Sequence, residues 1–145
     1  QRLENIDALS QFLYTKALLM YVTYDDAEAA KWAEQALVLA TEIRDWLLMA
    51  YITDLQAVVA VNDNNFDLAE SLFYQVMQHH QVLKCPAGEA QSWNRLAWLA
   101  KLQNRPEQFS QGIDRAIEIA KERGLTRQLD YFEKIKEKGF SHVKP

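Results

Sequence analysis

The residues best equipped for chemistry are two adjacent histidines and one cysteine: His79, His80 and Cys85. Imidazole nitrogen and thiolate sulfur are the ligand types that zinc selects. The spacing argues against a metal site. Neighbouring residues on a helix point about 100° apart, and no second ligand pair with metal spacing follows. The expectation is no metal and no cofactor, with the histidines as exposed residues near a helix end. Cys85 is the sole cysteine and cannot form an internal disulfide, which fits a reducing compartment. Nothing beside it in sequence marks it as an activated nucleophile. Carboxylates are plentiful but fit solvated helix faces. The chain has no glycine-rich phosphate loop, no H-E-x-x-H and no nucleophile elbow, so it reads as a non-enzyme. Trp32, Trp46, Trp93 and Trp98 are expected to serve packing.

Composition bounds the rest. Of 145 residues, 49% are apolar and 25% charged, the balance of a soluble globular protein. The length suits one domain, 1–145, able to bury a core. Four Gly and three Pro leave little chain for loops, so long regular elements are expected. The longest apolar run, Trp46 to Ile52, is far too short to span a bilayer. The opening Gln1-Arg2-Leu3-Glu4 has no signal-peptide pattern and no initiator Met. The chain reads as a piece of a longer protein, with a cytoplasmic setting expected. Net charge is −4, divided into −7 over residues 1–120 and +3 over 121–145. An acidic body argues against a direct nucleic-acid surface, which needs many phosphate-neutralising cations. The basic end reads as a solvated helix whose cations favour its C-terminus.

The elements that must position these residues repeat every 40 residues. Ala17, Ala57 and Ala97 keep that step, as do Ala36, Val76 and Ala116, and Leu19, Val59 and Leu99. Such a period marks an array of repeats. Each repeat reads as two helices, over about 3–23 and 26–44, 46–62 and 66–82, then 88–103 and 106–123. Asp25 and Asp26 suit helix capping, Pro106 suits a first turn, and Gly124 suits a C-terminal cap. A further helix, about 125–138, carries Leu125, Leu129, Phe132 and Ile135 on one face and charge on the other, as a capping helix would. The fold class is all-α: a solenoid of three antiparallel helix pairs, repeats about 9–45, 46–85 and 86–124, plus the cap. The loosest connection reads as Lys84 to Gly88.

The third repeat resembles a tetratricopeptide repeat (TPR). Trp93-x-x-Leu96-Ala97-x-x-Ala100 resembles the family's first-helix pattern, and Phe109-x-x-x-Ile113-x-x-Ala116 its second. The twelve residues from Ala17 to Ala29 match the family's spacing, and the other repeats keep it. The usual Gly is replaced by Ala, the usual Tyr by Met20, Ala60 and Ala100, and the helix-ending Pro by Thr41, Gln81 and Lys121. A standard repeat has about 34 residues. The extra residues are expected after the missing Pro, in a longer second helix and its connection. Long repeats of this kind are similar to those of bacterial signal-sensing regulators, such as the MalT-like sensor domains of LuxR-type activators and the peptide-sensing TPR regulators.

The resemblance implies that first helices line a concave face that binds a peptide or partner helix. Its groove positions fall on Gln11, Tyr14, Leu18 and Tyr21; then on Tyr51, Asp54, Val58 and Asn62; then on Gln91, Asn94, Arg95, Trp98 and Lys101. Leu18 and Val58 are expected to pack between helices; Tyr14, Tyr51, Asn94 and Trp98 are the candidates for contact. The family's carboxylate clamp uses Lys and Asn where this chain has Tyr14, Leu18, Asp54 and Val58. The resemblance thus implies a protein-binding module within a larger regulatory or signalling protein, taking an amphipathic helix or apolar peptide. The alternatives are a sensor of a small molecule or peptide in a transcriptional regulator, and a self-association module. For the last, the first repeat's outer edge, with Leu9 and Phe12, offers an uncapped face to a homo-oligomer.

Overall fold

The computed structural model describes residues 2–140. They form seven α-helices: α1 Arg2–Val22, α2 Asp26–Glu42, α3 Trp46–Asn62, α4 Phe66–Val82, α5 Pro86–Leu102, α6 Pro106–Glu122 and α7 Thr126–Lys138. No strand occurs among the described residues. The chain divides into two units, Gln1–His79 and His80–Pro145, with the division in the last turn of α4. Within each, consecutive helices pack as neighbours: α1 on α2 and α2 on α3 in the first unit, α5 on α6 and α6 on α7 in the second. The architecture is an all-α repeat fold, solenoid-like within each unit. Lys144 of the basic end lies outside the described residues.

The structure resolves the 40-residue period into two 20-residue halves. Helices α2 to α6 each have 17 residues, and each is followed by the same turn. Tyr24, Arg44, Asn64, Lys84, Asn104 and Gly124 all have positive φ, between 52° and 65°. At each turn one N–H reaches back five residues, as from Asp25 to Met20 O (2.8 Å), and the preceding N–H reaches back three, as from Tyr24 to Tyr21 O (3.0 Å). This is the Schellman arrangement, which satisfies the last carbonyls of a helix. The next helix begins at once. The side chains of Asp25, Asp45 and Asn65 accept N–H bonds from Glu28, Leu48 and Leu68. Cys85 and Arg105 make no such bond, and there Pro86 and Pro106 follow, which bring no N–H to satisfy.

Two expectations are corrected by this geometry. The extra residues do not lengthen only the second helix and its connection: in the second and third repeats first and second helices both have 17 residues, and both connections are the same turn. Lys84 to Gly88 is likewise no loose segment, since Cys85 N–H bonds His80 O at 2.9 Å and Pro86 opens α5. A missing helix-ending Pro lets the Schellman turn end every helix alike.

The small residues do what the period implied. Ala17, Ala57 and Ala97 have no exposed surface, and neither do Ser10, Ala50 and Ala90. Ser10 Oγ donates to Ala36 O at 3.1 Å, which ties α1 to α2 where their backbones approach. In the second unit Gly112 performs that role on α6. A Cβ there would stand 3.0 Å from Trp93 O and 3.1 Å from Ala97 Cβ. One cluster holds Leu13, Ala17 and α2's Ala29, Ala33, Ala36 and Ala40 with Leu48, Ile52, Leu55 and Val59. Another holds Phe109, Ile113, Ala116, Ala120 and Phe132 with Ala97. Surface ion pairs such as Lys136 Nζ to Asp114 Oδ1 (2.8 Å) are exposed and contribute little.

Candidate functional site

Eight of the residues named from the groove pattern line two hollows, one per unit, whereas Leu18, Tyr21, Asp54, Val58 and Asn62 line neither. In the first unit Gln11, Tyr14 and Thr15 of α1 face Leu47, Leu48 and Tyr51 of α3, with Asp45 at the turn before α3. The space is about 320 Å³. The rings of Tyr14 and Tyr51 stack with centroids 6.4 Å apart and planes 15° off parallel, within the range that favours aromatic pairs. Helices α1 and α3 touch, which places residues 37 apart in sequence side by side. Burial raises the pKa of the Tyr14 hydroxyl above its ordinary value of 10.0, and the carboxylate of Asp54 and then Tyr51 add to the effect. The phenol therefore stays protonated and able to donate. Gln11 Nε2 donates to Asp7 Oδ1 at 3.0 Å, and Asp45 accepts the Leu48 N–H as a helix cap.

In the second unit Gln91, Asn94, Arg95, Trp98 and Lys101 of α5 line a hollow of about 320 Å³ with Phe109 of α6 and Tyr131 and Ile135 of α7. All five residues expected from α5 are there. None of the lining residues is acidic, while Arg95 and Lys101 are cationic. The first hollow carries Asp45, with Asp54 beside Tyr14, and no cation. The two hollows thus present opposite charge, carried at different repeat positions. Asn94 is largely buried and Trp98 is half-buried. Val58 is buried and Leu18 half-buried, as expected of residues that pack between helices.

Sequence reasoning missed Asp45, Leu47, Leu48, Phe109, Tyr131 and Ile135. Asp45 lies on a turn, Leu47 and Leu48 open α3, and Phe109, Tyr131 and Ile135 lie on α6 and α7; only packing brings them to these walls. It also missed a third hollow, about 430 Å³, lined by His80, Lys84, Cys85, Glu89, Arg115 and Arg123 among others. Here the expectation of exposed histidines is corrected. His80 is buried, at the repeat position held by Ala40 and Ala120, and His79 is half-buried with its ring 5.7 Å from that of Trp46. Burial lowers the pKa of His79 from its ordinary 6.5. The tryptophans also differ from a purely packing role. Trp46 is exposed, and Trp32 lies half-buried under Lys16, whose Nζ is 3.7 Å from the ring centroid.

Among the described residues no group of three or more His, Cys, Asp or Glu is placed to hold a metal ion. No helix among them is long and apolar enough to cross a membrane. No known family model matches the chain, and no characterised protein matches it in sequence.

Proposed function

We propose that this chain is a non-catalytic, TPR-type module that binds a protein or peptide, as a segment of a larger regulatory or signalling protein working in the cytoplasm. One observation carries the reading. Along its first helices, each unit opens a hollow walled by aromatic and hydrogen-bonding side chains: Tyr14 and Tyr51 in one, Trp98 with Asn94 and Arg95 in the other. Tyr, Trp and Arg are the residue types that carry most energy in protein interfaces. Aromatic walls grip apolar side chains, while amides and hydroxyls take the main-chain groups of a bound segment. The charge of each hollow adds a preference: the second favours a segment bearing a carboxylate, the first one bearing a cation.

Selection of displayed peptides on the intact chain tests this. Tyr51→Ala combined with Trp98→Ala is expected to abolish capture of the selected peptides while far-UV circular dichroism stays unchanged. Unchanged capture would move the binding surface off the first helices. Thermal-shift measurement against metabolites, in the same variants, separates the peptide-binding reading from small-molecule sensing.

A further inference from the structure

Two polar side chains of the second hollow are held out of water without a visible return. Asn94 is 8% exposed, it lines the hollow, and among the described residues no hydrogen bond holds its amide. Buried amides are normally hydrogen-bonded. Lys101 is half-buried at the same wall, and among the described residues no carboxylate pairs with it. Lysine is a residue that folding usually leaves in water. The repeat does not call for a cation there, since forty residues earlier stands Val61, 6% exposed. The hollow is also no helix face left bare at an end of the array. Helices α5 and α7 both wall it, and Phe109 of α6 completes it.

We propose that this hollow receives an extended acidic peptide, with a bulky apolar side chain seated against Trp98 and, two residues along, a side-chain carboxylate paired with Lys101. The inference rests on the peptide-binding reading above and states which peptide the hollow selects. Asn94 and Lys101 are seven residues apart on α5, two turns of one face, so about 10 Å separates them along the axis. Trp98 stands between them. An extended chain rises about 3.3 Å per residue, so three residues span that distance, and every second side chain points the same way. The amide of Asn94 has a donor and an acceptor side, which match the C=O and N–H of a main chain. Trp98, Phe109 and Ile135 give the apolar side chain a wall to leave water against. Charge selects the occupant. A basic segment would meet like charge from Lys101 and Arg95, whereas an acidic one is drawn in. Residues 141–145 carry Lys144 and no acidic side chain, so charge does not favour them as the occupant.

The probe is the synthetic peptide Ser-Gly-Leu-Ser-Glu-Gly-Ser with both termini blocked, so that its one carboxylate belongs to a side chain. It is titrated into the intact nitrogen-15-labelled chain while the Asn94 side-chain amide and Trp98 indole resonances are followed. Saturable shifts of both are expected. Exchanging the peptide's Glu for Gln should weaken binding about ten-fold, and Lys101→Gln should do the same with no further loss when the two are combined. Lys101→Arg should retain binding, which a merely structural lysine would not predict. Tyr131→Glu, at an exposed position on α7, sets a carboxylate at the same wall without touching α5 and should repel the probe. The inference is overturned by absent or unsaturable shifts, by equal binding of the Gln peptide, or by binding that Lys101→Gln leaves unchanged. Tighter binding of a peptide whose only carboxylate is its C-terminus would overturn the side-chain assignment. Peptides selected by display that bind without an acidic residue, or without Trp98, overturn this inference alone. A selection that yields no peptide overturns the reading beneath it as well.

Discussion

The imidazole of His80 occupies the space that a side chain at Gly88 would need. A Cβ built at residue 88 collides with Nδ1, Cε1 and Cγ of that ring. The register explains the pairing. Forty residues earlier the same two positions hold Ala40 and Leu48, small then large; here they hold His80 and Gly88, large then small. Volume is conserved across the turn while its placement is exchanged.

Gly88→Ala is therefore expected to destabilise by roughly 1–3 kcal/mol, the range for overpacking a filled interior. This runs against alanine's advantage over glycine in a helix, about 1 kcal/mol. His80→Ala in the same chain should recover most of the loss, and a double-mutant cycle in urea should show strong coupling. A stabilising Gly88→Ala would show that the imidazole does not hold this place.

The repeated turn allows a cleaner test of backbone strain. Gly124 has φ of 65°, and a Cβ there would meet nothing within 4 Å. Gly124→Ala should cost about 1 kcal/mol from conformation alone. Tyr24 holds φ of 64° with its side chain 94% exposed. Tyr24→Gly should relieve that strain and stabilise by up to about 1 kcal/mol, less what glycine's freer unfolded chain takes back. Thermal melts of the two variants should move in opposite directions.

Alkaline pH should act through Tyr14. Its folded pKa is raised, first by burial and then by Asp54 and Tyr51. A raised pKa means the folded state holds the proton more firmly than the unfolded state. That stability is fully present below the ordinary value of 10.0 and is lost as pH climbs through the folded pKa. Tyr14→Phe should flatten the alkaline limb of the melting-temperature profile. An identical limb in the variant would place the titration elsewhere.

Acid should act through His79 with the opposite sense. Burial lowers its pKa, so the unfolded chain takes up the proton more readily. The contribution is present above the unfolded value of 6.5 and is lost as pH falls through the folded pKa. The loss should begin near the unfolded value and level off once the folded group is protonated. His79→Gln should reduce the slope in that window, read by urea midpoints at a series of pH values.

Much of this molecule is legible in its sequence because helical packing is local. Alanines at 17, 57 and 97, a cap at Asp25, and Pro106 and Gly124 at helix ends are signals that short-range sterics and hydrogen bonding impose. They determine seven helices, their bounds to within a few residues, and the row of first-helix residues that the hollows use. The 20-residue half-period escaped notice because its marker is a backbone angle, shared by Tyr, Arg, Asn, Lys and Gly, and not a residue type.

Only the tertiary structure decided what depends on two chain segments meeting. Tyr14 and Tyr51 stack because α1 touches α3, and Phe109, Tyr131 and Ile135 become walls because α6 and α7 fold against α5. His80 is buried because Gly88 leaves room for it, whereas Phe12, with an equally apolar side chain to that of buried Ile52, is exposed because no described helix lies over it. Composition ranks side chains by their tendency to leave water, but burial itself requires a neighbour, and the neighbour is supplied by the fold.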